Sequence, residues 1–370
     1  MGLVLSGGGA RGTFQVGVWK VLRERALGGD PAVVSGTSAG ALNGALIAAG
    51  LSPEDMLEFW LRLGDDPPVV ANEAFFSSLE RALARIVARE PLRLPWKRGR
   101  ELRVLLRSLR AHGARPQAGL LATALEYVMT ARFDLVSRVL EGITTSYLFD
   151  TGPVRDRLRK VIGGDSVRST RVRLAINTVD VRTGGVIRIV NHPPTKRSAA
   201  SAAHYRVHDA ITLDMILASA SIPLLFNPVA VGHELLWDGG LLVNTPIAPA
   251  VALGAKRIVP VLVTAGRGTE PGLPTFGAAV ERLADAFLEN AYATDRKLLL
   301  ARNKVAEVGA EKDLTIVELF EAVRPTSGRT FDAGSYLYFE RDRMLSMYQA
   351  GVAAGEAWLA RGPERDDITK

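Results

Sequence analysis

Residues 32–49 read AVVSGTSAGALNGALIAA. A short apolar run, Ala32–Ser35, stops at Gly36-Thr-Ser-Ala-Gly40 and re-enters a small-residue stretch, Ala39–Ala49. Valines bounded by glycine predict a buried strand, and the Ala, Leu and Ile beyond predict a helix. G-x-S-x-G between a strand and a helix is the pattern of a nucleophile elbow. The turn is so tight that the residues two before and two after the serine, Gly36 and Gly40, must be small. The strained backbone then aims the Ser38 hydroxyl above the sheet, over the free N–H groups that open the helix. With 18 Ser and 36 Gly in 370 residues, chance supplies about 0.17 such pentapeptides. The pattern alone is therefore a weak signal, and the flanking strand and helix are what make Ser38 a candidate nucleophile.

The same strand–turn–helix unit precedes it. Leu3–Leu5 is a strand run, Ser6-Gly-Gly-Gly-Ala-Arg-Gly12 a loop, and Thr13–Ala26 a helix. Gly7, Gly9 and Gly12 fit G-x-G-x-x-G, the turn that holds a dinucleotide pyrophosphate. That assignment needs an acidic residue closing the second strand, to bind the ribose. The second strand closes in Ser35-Gly36-Thr37-Ser38 instead, and Asp30 precedes it. A serine attacking an ester creates an oxyanion, and glycine amides after a strand suit that anion. Gly7, Gly8, Gly9, Arg11 and Gly12 are accordingly the candidate oxyanion loop, with Gly8 and Gly9 as donors. Arg11 either holds the loop, adds positive potential, or is a solvated residue at a helix start.

Strands alternating with helices imply a mainly parallel sheet covered on both faces. Sheet signals recur at Arg171–Val179, Val186–Val190, Arg257–Val263 and Leu314–Phe320, with a hairpin at Val229–Trp237. Helices are expected at Ile211–Ala220, near Ile247–Leu253, and at Thr275–Arg302 and Asp342–Ala360, with a loop at Ala265–Pro274. Residues 53–150 read as helices throughout. From Arg81 to Arg115 there are 11 basic residues and two acidic ones. Arg100, Arg103, Arg107 and Arg110 share one helical face there, opposite Leu102, Leu105, Leu106 and Leu109, which suits anionic lipid headgroups. The alternative is an ordinary amphipathic helix with a solvated face.

A serine needs a base. None of the five histidines, His112, His192, His204, His208 and His233, has a triad context, and His204 with His208 lacks a third metal ligand. Asp238 in W-D-G-G-L-L-V-N-T-P stands at the end of an apolar hairpin and is the other candidate. A carboxylate in a dry pocket can have a raised pKa and act as base, although Asp-Gly is also an ordinary turn.

Composition narrows the rest. The chain has 370 residues, 47% hydrophobic, with net charge +7 and no cysteine, so disulfides and thiolate zinc sites are excluded. Leu3–Leu5 is too short for a signal-peptide core and no run reaches a membrane span, so a cytoplasmic protein, free or peripheral at a membrane, is expected. No nucleic-acid motif accompanies the basic charge.

G-G-G-A-R-G at 7–12, G-T-S-A-G at 36–40 and D-G-G at 238–240, in this order, resemble the patatin-like phospholipase family. Leu148–Val154, Leu174–Asp180, Ala218–Pro223 and Asn244-Thr-Pro246 look like family segments too. The resemblance implies a three-layer α/β/α fold and a Ser–Asp dyad, with Ser38 as nucleophile, Asp238 as base, and Gly239 and Gly240 completing the motif. It implies hydrolysis of acyl esters of phospholipids or other lipids through an acyl-enzyme, with neither metal nor other cofactor. The expected organisation is a catalytic domain at 1–265, carrying a basic helical cap at about 72–145, and a mostly helical extension at 266–370 packed on the same domain. A His-assisted esterase, or a nucleotide- or lipid-binding module without catalysis, are the alternatives. Oligomeric state is not legible.

Overall fold

The computed structural model describes residues 1–27, 29–66, 68–89, 133–195, 203–265, 276–309, 314–326, 331 and 333–367. The chain divides into two compact units, residues 1–70 with 151–370, and residues 71–150.

The first unit is built on a sheet whose nine strands among the described residues are β1 (Gly2–Leu5), β2 (Val33–Gly36), β3 (Arg173–Asp180), β4 (Val186–Val190), β5 (Tyr205–Val207), β6 (Val229–Val231), β7 (Glu234–Asp238), β8 (Arg257–Val261) and β9 (Glu318–Leu319). Their order is β6-β7-β3-β2-β1-β8-β9, with β4 and then β5 branching from β3. The central pairs β3-β2, β2-β1, β1-β8 and β8-β9 are parallel. Alternate residues of each central strand enter different cores, as the two-residue period of a strand requires. Leu3, Leu5, Val34, Leu174 and Ile176 join one cluster with helices α1 (Gly12–Val21), α2 (Ala39–Ala48) and α3 (Pro53–Asp65). Val4, Val33 and Ala175 join another, with Ile247 and Tyr292 of the helices on the opposite face. The fold is thus α/β, with helices on both sides of a mostly parallel sheet.

The decisive feature is along β3. Strand β4 occupies one of its edges over residues 175–179, so β2 and β7 share the other. Strand β2 runs parallel to β3 and ends with Gly36 beside Ile176. Strand β7 runs antiparallel and ends with Asp238 beside Thr178. The two strands meet head to head, with only Asn177 between their register positions. Residues 202 apart in sequence are brought to one point by strand pairing.

Residues 71–150 contribute α4 (Glu73–Arg89) and α5 (Phe133–Gly142), which pack where Gly142 comes against Ala82. The Asn72 side chain donates to the Tyr147 carbonyl at 3.0 Å. Arg100, Arg103, Arg107 and Arg110 lie outside the described residues. In the first unit, α6 (Gly152–Ile162), α7 (Leu213–Ala218), α8 (Ile247–Ala252), α9 (Phe276–Glu307) and α10 (Arg341–Arg361) complete the helices. Helix α10 crosses α1 at Gly17 and Gly351, where a Cβ on either would strike the facing backbone.

Residues 53–150, read as helices throughout, also hold the short strands Val70–Ala71 and Tyr147–Asp150, and two further expected elements differ. The strand read at 314–320 forms only over Glu318–Leu319, in register with Arg257 and Ile258 of β8, and the pairing resumes as a single bridge between Val261 and Val323. The helix read from Ile211 begins at Leu213, because Ile211 and Thr212 pair with Val167 and Ser166, and the Thr212 hydroxyl caps it from Met215 N–H at 3.3 Å.

Candidate active site

Ser38 has φ 54° and ψ −123°, left-handed backbone that a residue with a side chain adopts only under constraint. The constraint is steric. A Cβ on Gly36 would overlap the Gly40 carbonyl, and one on Gly40 would overlap the carbonyls of Leu5 and Ser6. Two glycines flanking the serine let the chain reverse between β2 and α2 with no slack. The turn is then closed by Gly40 N–H donating to Thr37 O at 2.8 Å and Thr37 N–H to Leu5 O at 3.3 Å.

The strained turn is held from outside by residues that the sequence reading left without a role. Ser219 Oγ accepts the Ser38 N–H at 3.0 Å and donates to the Asn177 carbonyl at 2.6 Å. Ser221 O accepts the Asp238 N–H at 3.0 Å. One segment, Ser219–Ser221, therefore fixes the backbone of both the serine and the aspartate. Thr37 Oγ1 donates to Val243 O at 2.9 Å, fastening the elbow to the loop that follows Asp238. Asn177 is the pivot, fully buried near the end of a strand that also carries Thr178 and Asp180, so its residue type alone did not single it out.

Ser38 is 6% exposed and Asp238 5%. Burial pushes the Asp238 carboxyl up to about 7, because removal from water disfavours the charged form. The Gly240 N–H, donating to Asp238 Oδ1 at 2.7 Å, and a hydrogen-bonding interaction with the Ser38 side chain pull the other way without prevailing. Gly239 lies so close to the Asn177 carbonyl that no Cβ fits, which keeps the aspartate turn tight. The arrangement pairs a hydroxyl in a strained turn with a dry carboxylate that titrates near neutrality.

The glycine loop closes the third side. A Cβ on Gly7 would stand about 3.0 Å from the Ser38 Cβ, so the loop passes directly over the serine. Gly7 N–H is engaged by Asn244, whose Oδ1 and carbonyl lie at 3.1 and 3.2 Å. The Gly7 amide is thus occupied, unlike the expectation for an oxyanion donor. Gly12 begins α1 and packs flat against the Trp60 ring, a contact position and not a donor position. Arg11 is 1% exposed, which removes the solvated alternative. Its guanidinium binds Ser335, Val263, Phe331 and Asp285 instead of entering the serine–aspartate pocket.

A buried amide network locks loop to elbow helix. Gln15 Nε2 donates to Ser6 O at 2.7 Å, Asn43 Nδ2 to Gln15 Oε1 and Gly12 O at 2.9 Å, and Trp60 Nε1 to Asn43 Oδ1 at 2.8 Å. His192, His204 and His233 are exposed on the surface; the His204 ring meets the Val186 carbonyl at 3.2 Å. Among the described residues, no three His, Cys, Asp or Glu side chains converge as a metal site would need, and no helix is long and apolar enough to cross a membrane.

Comparison with known proteins follows the same residues. Residues 3–251 match the patatin-like phospholipase family. A 48-residue stretch is 58% identical to lysophospholipase nte1 of Aspergillus terreus; it covers 13% of this chain and 3% of that protein. Among solved structures, VipD from Legionella pneumophila aligns over 99% of this chain and 68% of its own, at 15% identity and a TM-score of 0.38. ExoU of Pseudomonas aeruginosa, solved with SpcU, aligns over 80% of this chain and 52% of its own, at 20% identity and a TM-score of 0.27.

Proposed function

The chain belongs to the patatin-like phospholipase family, and we propose that it is a lipid ester hydrolase that cleaves fatty acyl esters of phospholipids through a Ser38–Asp238 dyad and an acyl-enzyme. The observation that carries this is the head-to-head meeting of β2 and β7, which sets the elbow serine beside a buried aspartate poised near neutrality.

Ionised Asp238 accepts the Ser38 proton as Oγ attacks the ester carbonyl. A general base with a pKa near the working pH combines a large ionised fraction with a strong pull on the proton. Negative charge develops on the carbonyl oxygen. With Gly7 occupied by Asn244, the Gly8 and Gly9 amides stabilise it, joined by the Ala39 N–H at the start of α2. Each such donor is worth roughly 2.7–4 kcal/mol of transition-state stabilisation. Collapse breaks the bond to the alcohol oxygen, which takes the proton from Asp238 and leaves as the lyso-lipid. Water then gives a proton to Asp238, attacks the acyl-Ser38 carbonyl and releases the fatty acid, and the proton returns to Oγ.

Fatty-acid release from mixed phospholipid vesicles tests the proposal. Ser38→Ala and Asp238→Asn should each cost on the order of 10⁶-fold in kcat, as removing a nucleophile or base does. Replacing each histidine singly with alanine should leave turnover in place. Equal release by wild type and Ser38→Ala would remove the catalytic assignment, and loss of turnover on a single histidine change would assign the base there.

A further inference from the structure

Arg11 sits two residues after Gly9 and is among the largest fully buried side chains of the protein. A buried guanidinium must have its charge and donors answered locally. Nε donates to Ser335 Oγ at 2.7 Å, and Nη2 to the Phe331 carbonyl at 3.0 Å. Nη1 faces the Val263 carbonyl and Asp285 Oδ1, each at 3.3 Å. The guanidinium carbon lies 3.7 Å from the centre of the Tyr336 ring, and the Tyr336 hydroxyl in turn donates to Asp285.

These partners all come from beyond residue 262, from the end of β8, from α9 and from the segment before α10. The same residues form the wall behind the two amides. A Cβ on Gly8 would strike the Val263 side chain, and one on Gly9 the Tyr336 carbonyl. Arg11 N–H also closes back on the Gly8 carbonyl at 3.2 Å. Loop and wall are therefore one packed body with the guanidinium as its rivet.

We infer that Arg11 is a positioning residue through which the C-terminal part of the chain, by way of Ser335, Tyr336, Phe331 and Asp285, sets the Gly8 and Gly9 amides for the oxyanion. The inference rests on the Ser38 mechanism above. It assigns to the C-terminal extension a share in catalysis and denies Arg11 the part of a positive charge offered to the anion.

Arg11→Lys separates the two roles. Lysine keeps the charge but lacks the planar fork that serves four acceptors at once. The variant should lose about 100-fold in kcat, the scale of an ångström-sized misplacement, with KM little changed. Ser335→Ala removes an acceptor of the guanidinium, and Tyr336→Phe removes the hydroxyl that holds its carboxylate partner Asp285. Each should lower kcat about 10-fold and slow phosphonylation of Ser38 by a fluorophosphonate in proportion, since that step also charges an oxygen held by the loop. In the Arg11→Lys background, Ser335→Ala should add almost nothing, because both act through one contact. A fully active Arg11→Lys enzyme would overturn the inference, as would wild-type kcat in Ser335→Ala and Tyr336→Phe at wild-type melting temperature. If Arg11→Lys does not fold, the other two variants decide. Failure of the underlying mechanism reads differently: Ser38→Ala would then match wild type whatever the wall variants do.

Discussion

The elbow at residues 35–40 and the wall formed by Val263, Asp285, Phe331, Ser335 and Tyr336 stand on either side of the glycine loop, and they are specified in different ways. At the elbow, every constraint acts within a few residues. The chain must reverse between strand and helix, Ser38 must take a left-handed conformation, and the residues at either side of it must lack a side chain. Such local steric demands permit few residue types, so they leave a readable pattern. At the wall, Arg11 needs carbonyls, a hydroxyl, a carboxylate and a ring face, and it draws them from positions up to 325 residues away. Backbone carbonyls belong to any residue, so most of that demand leaves no pattern at all.

The largest test of this contrast is Gly40→Ala. Its Cβ would meet the Leu5 and Ser6 carbonyls, backbone atoms of the central strand and glycine loop that cannot swing aside. Overpacking of that kind should cost about 3 kcal/mol and abolish fluorophosphonate labelling of Ser38. Unchanged labelling in this variant would show that the elbow is less tightly built than its contacts require.

Next in size is the effect of pH through Asp238. The proposed mechanism requires the ionised carboxylate, so kcat/KM for a soluble ester should fall about tenfold per pH unit below an acid limb near 7 and be flat above it. An acid limb near the ordinary carboxylate value would mean that water reaches the residue. Stability should move the opposite way. The folded pKa lies above the unfolded one, so the folded protein binds the proton more tightly. That contribution is complete below about 3.8 and disappears as pH rises to about 7. Asp238→Asn should accordingly raise the melting temperature most above neutral pH and least near pH 4, as thermal unfolding across that range would show.

The smallest is Ser219→Ala, which takes the acceptor from the buried Ser38 N–H and removes a donor from the Asn177 carbonyl. An unsatisfied buried amide costs roughly 1–3 kcal/mol. Because the loss falls on the backbone of the nucleophile, kcat should drop about 10-fold with little change in KM. A stability loss with unaltered kcat would place Ser219 with the fold and not with the site.

Particular residues show how much of this was legible. Ser38 and Asp238 were both readable as candidates, each from the glycines beside it. That they meet was legible only through the family resemblance, because neither residue carries information about the other; the meeting is a property of β3, whose one edge accepts β2 from below and β7 from above. Asn177, Ser219 and Asn244 stood in the sequence as family-like segments without a role, since each acts across the fold on a backbone group. Gly7, Gly12 and Arg11 were grouped with Gly8 and Gly9 by one glycine pattern and one loop. The structure separates them by neighbour: Asn244 for the first, Trp60 for the second, the C-terminal wall for the third.

By itself the sequence determined the pieces whose physics is local. It set the alternation that sends Leu3 and Val4 into different cores, the strand–turn–helix unit around Ser38, and the two tight glycine turns. Tertiary structure alone decided that a hydroxyl and a carboxylate 200 positions apart share one dry pocket, and that burial brings the carboxylate's titration near neutrality. Steric exclusion is written residue by residue, whereas strand pairing and desolvation exist only once distant segments have closed on one another.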